Sequence, residues 1–140
     1  MLKAARVFLI VISILNGVAG LVCGVLFLIS PDGSLMGFQP LLPVIATLPL
    51  AEVFFQSLTW IGIAMLLALG IPNTVASVML LRRHPAQYTV TLIAAVLLML
   101  WTGFELIFMY NVGAVGYFIV GVLCALCSVM LIRKGASADA

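Results

Sequence analysis

The sequence predicts an all-α fold: a polytopic membrane protein built as a four-transmembrane-helix antiparallel bundle, with both its N- and C-termini cytoplasmic. Composition is the first ground. Of the 140 residues 66% are apolar and 7% charged, and mean hydropathy is +1.39, whereas a water-soluble domain has roughly a quarter of its residues charged. Four apolar runs are the second ground, each near the about 20 residues that a helical span takes. They leave room for short loops and tails only, so residues 1–140 form a single membrane domain. The third is the placement of charge. Lys3 and Arg6 precede the first run, Arg82 and Arg83 close the second, and Arg133 and Lys134 follow the last. The positive-inside rule therefore puts both termini and the loop at residues 82–85 on the cytoplasmic side.

The first span is expected over residues 7–29. It ends at Ser30-Pro31-Asp32-Gly33-Ser34, a cluster of turn formers. A cleavable signal peptide has an apolar part of only about 7 to 15 residues; this run continues past Gly20 and Gly24, which predicts a retained helix. Pro40, Pro43 and Pro49 then forbid a continuous helix, so residues 30–51 read as an outer loop lying at the membrane surface. The second span is expected over residues 52–81, longer than a perpendicular helix needs, with a kink at Gly70-Ile71-Pro72-Asn73. Arg82-Arg83-His84-Pro85 makes a short connection to a third span over residues 88–110. Asn111-Val112-Gly113 turns the chain into a fourth span over residues 114–132, and the small polar tail from Gly135 onward should not pack. Short connections favour up-down-up-down order. The one-sided charge argues against a dual-topology protein of the small multidrug-transporter kind. A net charge of +2, split among three pairs, offers nucleic acid no patch.

Polar residues inside the spans carry what chemistry there is. Asn16, Gly20 and Gly24 share one face of the first span. Gly20 and Gly24 form a GxxxG pair, which reads either as a homo-oligomer seam or as a contact within the chain's own bundle. Asn16 and Asn73 both lie about 13 Å deep by helix rise, so they are expected to pair and fix helix register. Glu52, Gln56 and Thr59 form one polar stripe on the second span, and Trp101, Thr102 and Glu105 a second on the third, with Asn111 and Tyr117 nearby. An ionisable group within a span is a functional candidate by default. The two stripes are expected to converge beneath the outer loop, with Thr102 or Tyr117 as donor to the Glu105 carboxyl. The bland alternative leaves Glu52 solvated and gives Glu105 the task of tying two helices together.

Cys124 and Cys127 share a helix face, but the outer loop has no shuttle cysteine to serve them, so they read as packing residues, as does Cys23. His84 is the single histidine and sits in a solvated basic loop. No metal set, cofactor fingerprint or nucleophile motif is present.

Ser30-Pro31-Asp32-Gly33-Ser34, Gly70-Ile71-Pro72-Asn73, Met99-Leu100-Trp101 and Tyr117-Phe118-Ile119 together resemble a family of bacterial four-span membrane proteins without an established activity. Several members carry glutamine four positions after the tryptophan, where this chain has Glu105. The resemblance covers most of the chain and implies the bacterial cytoplasmic (inner) membrane.

The leading expectation is a small non-enzymatic integral protein that binds a membrane protein partner or an amphipathic ligand, a lipid or quinone-like molecule, in the outer half of the bundle, with membrane lipids around it. The alternative is a proton-coupled small-molecule transporter acting as an oligomer, with Glu105 as protonation site. A lipid-headgroup enzyme using Glu52 and Glu105 as acid and base ranks last, since no nucleophile accompanies them. Topology is directly testable: reporter fusions at Asp32 and Ala140 are expected on opposite sides of the membrane, and a shared compartment would end the orientation derived from charge.

Overall fold

The computed structural model describes residues 1–135, all of whose regular elements are helical. The expected unpacked tail lies outside them apart from Gly135, which is exposed. Four helical stretches are long and apolar enough to cross a membrane. Helix α1 covers Leu2–Ile29. It starts ahead of the expected boundary because the Leu-Lys-Ala-Ala-Arg segment favours helix, and the Ala5 amide already bonds the Met1 carbonyl at 3.0 Å. After short 3-10 turns at Ser34–Met36 and Gln39–Leu41 come two single-turn helices, α2 (Leu42–Ile45) and α3 (Ala51–Phe54). The second long stretch comprises α4 (Thr59–Met65), a π-helical turn (Leu66–Gly70) and α5 (Ile71–Leu81). Helices α6 (Gln87–Phe108) and α7 (Val112–Arg133) complete the chain.

Two expectations on the second span meet different outcomes. The irregularity expected at Pro72 exists, as a π-helical turn immediately before it, where the Ile71 amide reaches back to the Leu66 carbonyl. The expected start at residue 52 is corrected to Thr59. The Leu58 amide, which a continuous helix would give to residue 54, is instead donated to the Pro31 carbonyl at 2.7 Å, and the Ser57 hydroxyl bonds Thr59 Oγ1 at 3.0 Å. Both contacts end the helix, as local side-chain bonds and a long-range competitor should. Glu52, in α3, and Gln56 consequently lie ahead of the span, not within it.

Each long helix packs on the next in sequence, and α1 closes the ring against α7. The closest approach joins α1 to α4 and α5. A Cβ on Gly20 would collide with the Gly70 backbone, lying 2.6 Å from its Cα, and one on Gly62 would lie 2.8 Å from the Gly24 carbonyl. Gly17 meets Thr74 in the same way. Small residues let backbones touch where lipid offers no hydrophobic drive for association. Of the two readings of the Gly20 and Gly24 pair, the contact within the chain's own bundle is the one seen here: both are buried inside it.

Asn16 and Asn73 are 4% and 5% exposed on the same two helices, yet no hydrogen bond joins them. The Asn73 amide donates to the Leu69 carbonyl at 2.8 Å within the π turn, and Asn16 Nδ2 has no partner. The expected register pair is thus replaced by a back-bond within one helix. Two apolar clusters fill the interior. Leu9, Leu80, Tyr88, Cys124 and Leu131 occupy the basic end, and Phe27, Ile45, Leu58, Ile61 and Met109 the other. Outward positions such as Val18, Val22, Leu100, Ile107 and Leu126 are large, apolar and exposed, a surface suited to lipid.

Gly20→Ala is expected to destabilise the bundle by about 1 to 3 kcal/mol, the range for overpacking. Gly103→Ala, whose Cβ would meet nothing within 4 Å, is expected to leave thermal stability unchanged or slightly raised. Melting both variants in detergent tests the seam; equal behaviour would refute it.

Candidate functional site

The segment from Ser30 to Leu58 folds as a cap over one end of the bundle. Its first turn is held by Asp32, whose carboxylate accepts from the Ser30 hydroxyl at 2.8 Å and the Ser34 amide at 3.0 Å. Gly33 has φ 75 and is buried; a Cβ there would lie 2.6 Å from the Leu58 side chain, so this turn requires glycine. The Leu58–Pro31 bond ties the two ends of the cap together. Ile45 and Leu48, 0% and 5% exposed, anchor its middle on Phe27, Leu58, Ile61 and Met109. The segment with its four prolines, Pro31, Pro40, Pro43 and Pro49, is thus docked on the end of the bundle.

Beneath the cap lies a chamber of about 560 Å³, walled by α1, the cap, α4, the end of α6 and the α6–α7 connection. Phe27, Phe38, Phe108 and Tyr110 contribute aromatic surface, and Met36, Met65 and Met109 thioether surface. A second chamber of about 230 Å³ extends between α1, α6 and α7, bounded by Trp101, Thr102 and Tyr117 among others. Cys23, Met65, Glu105 and Asn111 belong to both walls. Glu105 thus stands at the junction, the one ionisable carboxyl in either chamber.

Local structure fixes that carboxyl. Helix α6 ends where the Met109 amide bonds the Glu105 carbonyl at 2.7 Å. Asn111 then caps α7, accepting from the Ala114 amide at 2.7 Å, while its own amide donates to the Met109 carbonyl at 3.0 Å. This tight connection brings the Asn111 side chain to the Glu105 carboxyl, and Trp101, one turn earlier on α6, faces it as well. Thr102 does not serve as the expected donor, because its hydroxyl is bonded back to the Leu98 carbonyl at 2.8 Å. Trp101 also stacks on Phe104 at 5.7 Å between centroids, and Phe104 on Phe55 at 6.3 Å, which ties the cap to α6.

Of the residues singled out from sequence, Trp101, Thr102, Glu105 and Tyr117 come together around the second chamber. Glu52 and Gln56 do not join them. Both are exposed on the cap, and the Gln56 amide donates to the Glu52 carbonyl, so the expected convergence of two stripes is corrected to one stripe meeting α1 and the α6–α7 connection. Cys23 and Phe27 were missed, although with Ala19 they recur every four residues on α1 and could have been found by helical periodicity. Met36 and Phe38 carried no such signal. Cys124 is buried in the apolar cluster at the opposite end. Among the described residues, no three His, Cys, Asp or Glu side chains gather as they would to hold a metal ion.

Against protein-family models, curated proteins and solved structures, the chain finds no match. Function must be argued from this geometry.

Outside the spans, the Ser34 amide and the Ser30 and Ser34 hydroxyls hold the Asp32 carboxyl below its ordinary range. A depressed value means that the carboxylate stabilises the turn at every pH above the ordinary value of about 3.9, and that this stabilisation is lost as pH falls through the lowered one. Amide exchange protection at residues 33–38 should be flat near neutrality and collapse at strongly acid pH. Asp32→Ala should weaken it throughout and abolish the step; an unaltered profile in the variant would show that Asp32 does not order the cap.

Proposed function

We propose that this is a non-enzymatic binding protein of the bacterial cytoplasmic membrane, its cap on the outer side. It holds an amphipathic ligand, lipid or quinone-like, between the cap and the four long helices. The observation that carries the reading is the pair of adjoining chambers with a single carboxyl at their junction. Small-molecule sites are concave, mostly apolar and about 300 to 1,000 Å³ in volume, with few polar groups to orient the ligand; the larger chamber has that size and that lining. Glu105 supplies the orienting group, and the aromatic and methionine side chains supply an adaptable apolar wall. The all-Lys/Arg end of the bundle supports the orientation, and the motif resemblance supports the choice of membrane.

The oligomeric proton-coupled transporter is the second reading, favoured by Glu105 itself, an ionisable residue within a span and lining both chambers.

Native mass spectrometry of the detergent-released protein tests these readings together. One chain retaining one amphiphile is the expected result. Cys23→Phe, which projects into the wall common to both chambers, should cut retention severalfold, and Val22→Phe, on the exposed face of α1, should not. Absence of any retained amphiphile, or equal retention in both variants, would remove the binding reading. A defined oligomer with proton-driven flux in vesicles would replace it with the transporter.

A further inference from the structure

Resting on the binding reading but replacing its lipid or quinone-like ligand, we infer that the amphipathic ligand is a lipophilic monocation: one positive charge carried in an apolar or aromatic frame, held by Glu105 in the cap-end chambers.

Charge complementarity carries the inference. All six basic residues lie at positions 3, 6, 82, 83, 133 and 134, the ends of helices remote from the cap. Glu105 stands on α6 eighteen residues beyond its start at Gln87, so the nearest of these connections is about 27 Å away by helix rise. No cation of this chain can neutralise it. The groups that face the carboxyl, the Trp101 indole and the Asn111 amide, are neutral, and Asn111 already spends its carbonyl on Ala114 and an amide hydrogen on Met109. A carboxylate has about four lone-pair sites, and a carboxyl in apolar surroundings is either protonated or, when ionised, paired with a cation. The chain leaves that partner to be brought in.

The remaining walls suit the same occupant. Phe27, Phe38, Phe108 and Tyr110 line the larger chamber, and aromatic faces attract a cation within about 6 Å of the ring. Phe27 and Phe38 meet edge to face at 5.6 Å. A zwitterionic phospholipid head fits poorly, because its phosphate would enter walls that contain no lysine or arginine. An anionic amphiphile would face Glu105 directly.

Equilibrium dialysis of the full chain in a non-ionic detergent, with protein-free micelles as the blank, tests this with two probes of one shape and opposite charge. Tetraphenylphosphonium is expected to bind saturably, about one per chain, and tetraphenylborate to show no saturable binding. Glu105→Gln should weaken tetraphenylphosphonium at least tenfold, whereas Glu52→Gln, on the exposed cap, should leave it unchanged. Borate binding as tightly as phosphonium, or full phosphonium affinity in Glu105→Gln, overturns the inference. The comparison of the two probes on the unaltered chain stands even if a variant fails to fold. If the inference falls while an endogenous neutral amphiphile still co-purifies, the binding site survives and only the ligand's charge was misassigned; if neither probe nor amphiphile is held, both fall.

Discussion

The contact of backbone on backbone between α1 and the second span, with Gly20 against Gly70 and Gly24 against Gly62, is the constraint on which the rest of this structure depends. In a hydrocarbon solvent, apolar side chains gain nothing by leaving lipid for one another, so association rests on packing and on polar contacts. Glycines allow α1 to lie against α4 and α5 along most of their length. The seam fixes where Cys23 and Phe27 stand, because they follow Gly20 and Gly24 on α1 by three residues. It also fixes where Met65 stands, since Met65 precedes the π turn whose Gly70 receives Gly20. One wall of each chamber is thereby set by a contact that contains no functional group.

The opposite wall follows from the way α6 is ended and α7 begun. The Met109 amide, the Asn111 cap and the Ala114 amide form a short chain of hydrogen bonds that leaves three residues between the helices. A longer connection would splay the two helices and carry Asn111 away from Glu105. The cap completes the enclosure: its Ile45 and Leu48 are inserted like core residues, and its ends are joined by the Leu58–Pro31 bond. That same bond terminates α4. Enclosing the chamber and shortening the second span are one structural event.

What the sequence made legible divides along this line. Four spans, their order and the polar stripe of Trp101, Thr102 and Glu105 follow from hydropathy and a 3.6-residue period, both properties of single helices. The cap was misjudged because its folding rests on contacts remote in sequence. Nothing near Leu58 announces that its amide will be taken by Pro31, and so Glu52 and Gln56 looked helical. The asparagine pair failed for a subtler reason. Depth comes from rise per residue and was sound, but pairing also needs matching rotation about two helix axes. The π turn at Leu66–Gly70 inserts an extra residue before Asn73, which turns the following face by about 100°, one residue's share of an α-helical turn. Asn73 then finds its acceptor on its own helix.

The distribution of polar groups makes physical sense once the two ends of the bundle are considered together. At the basic end, the interior holds Arg6, Gln87 and Tyr88, and Arg6 reaches the Leu80 carbonyl; Arg6 Nε, both Gln87 amide atoms and the Tyr88 hydroxyl lack partners within the chain. Buried polar atoms so near a helix end are satisfied readily by interfacial water. Glu105 has a different situation. It is set apart from every cation of its own chain and lines chambers beside the cap whose walls are mostly apolar and aromatic. A carboxyl serving only to join two helices needs no chamber on either side of it, and a glutamine would make the same neutral hydrogen bonds without a charge to solvate. The Glu105 side chain lines both chambers three residues from the end of α6, so the two ends of the bundle differ less in depth than in which charges stand near them.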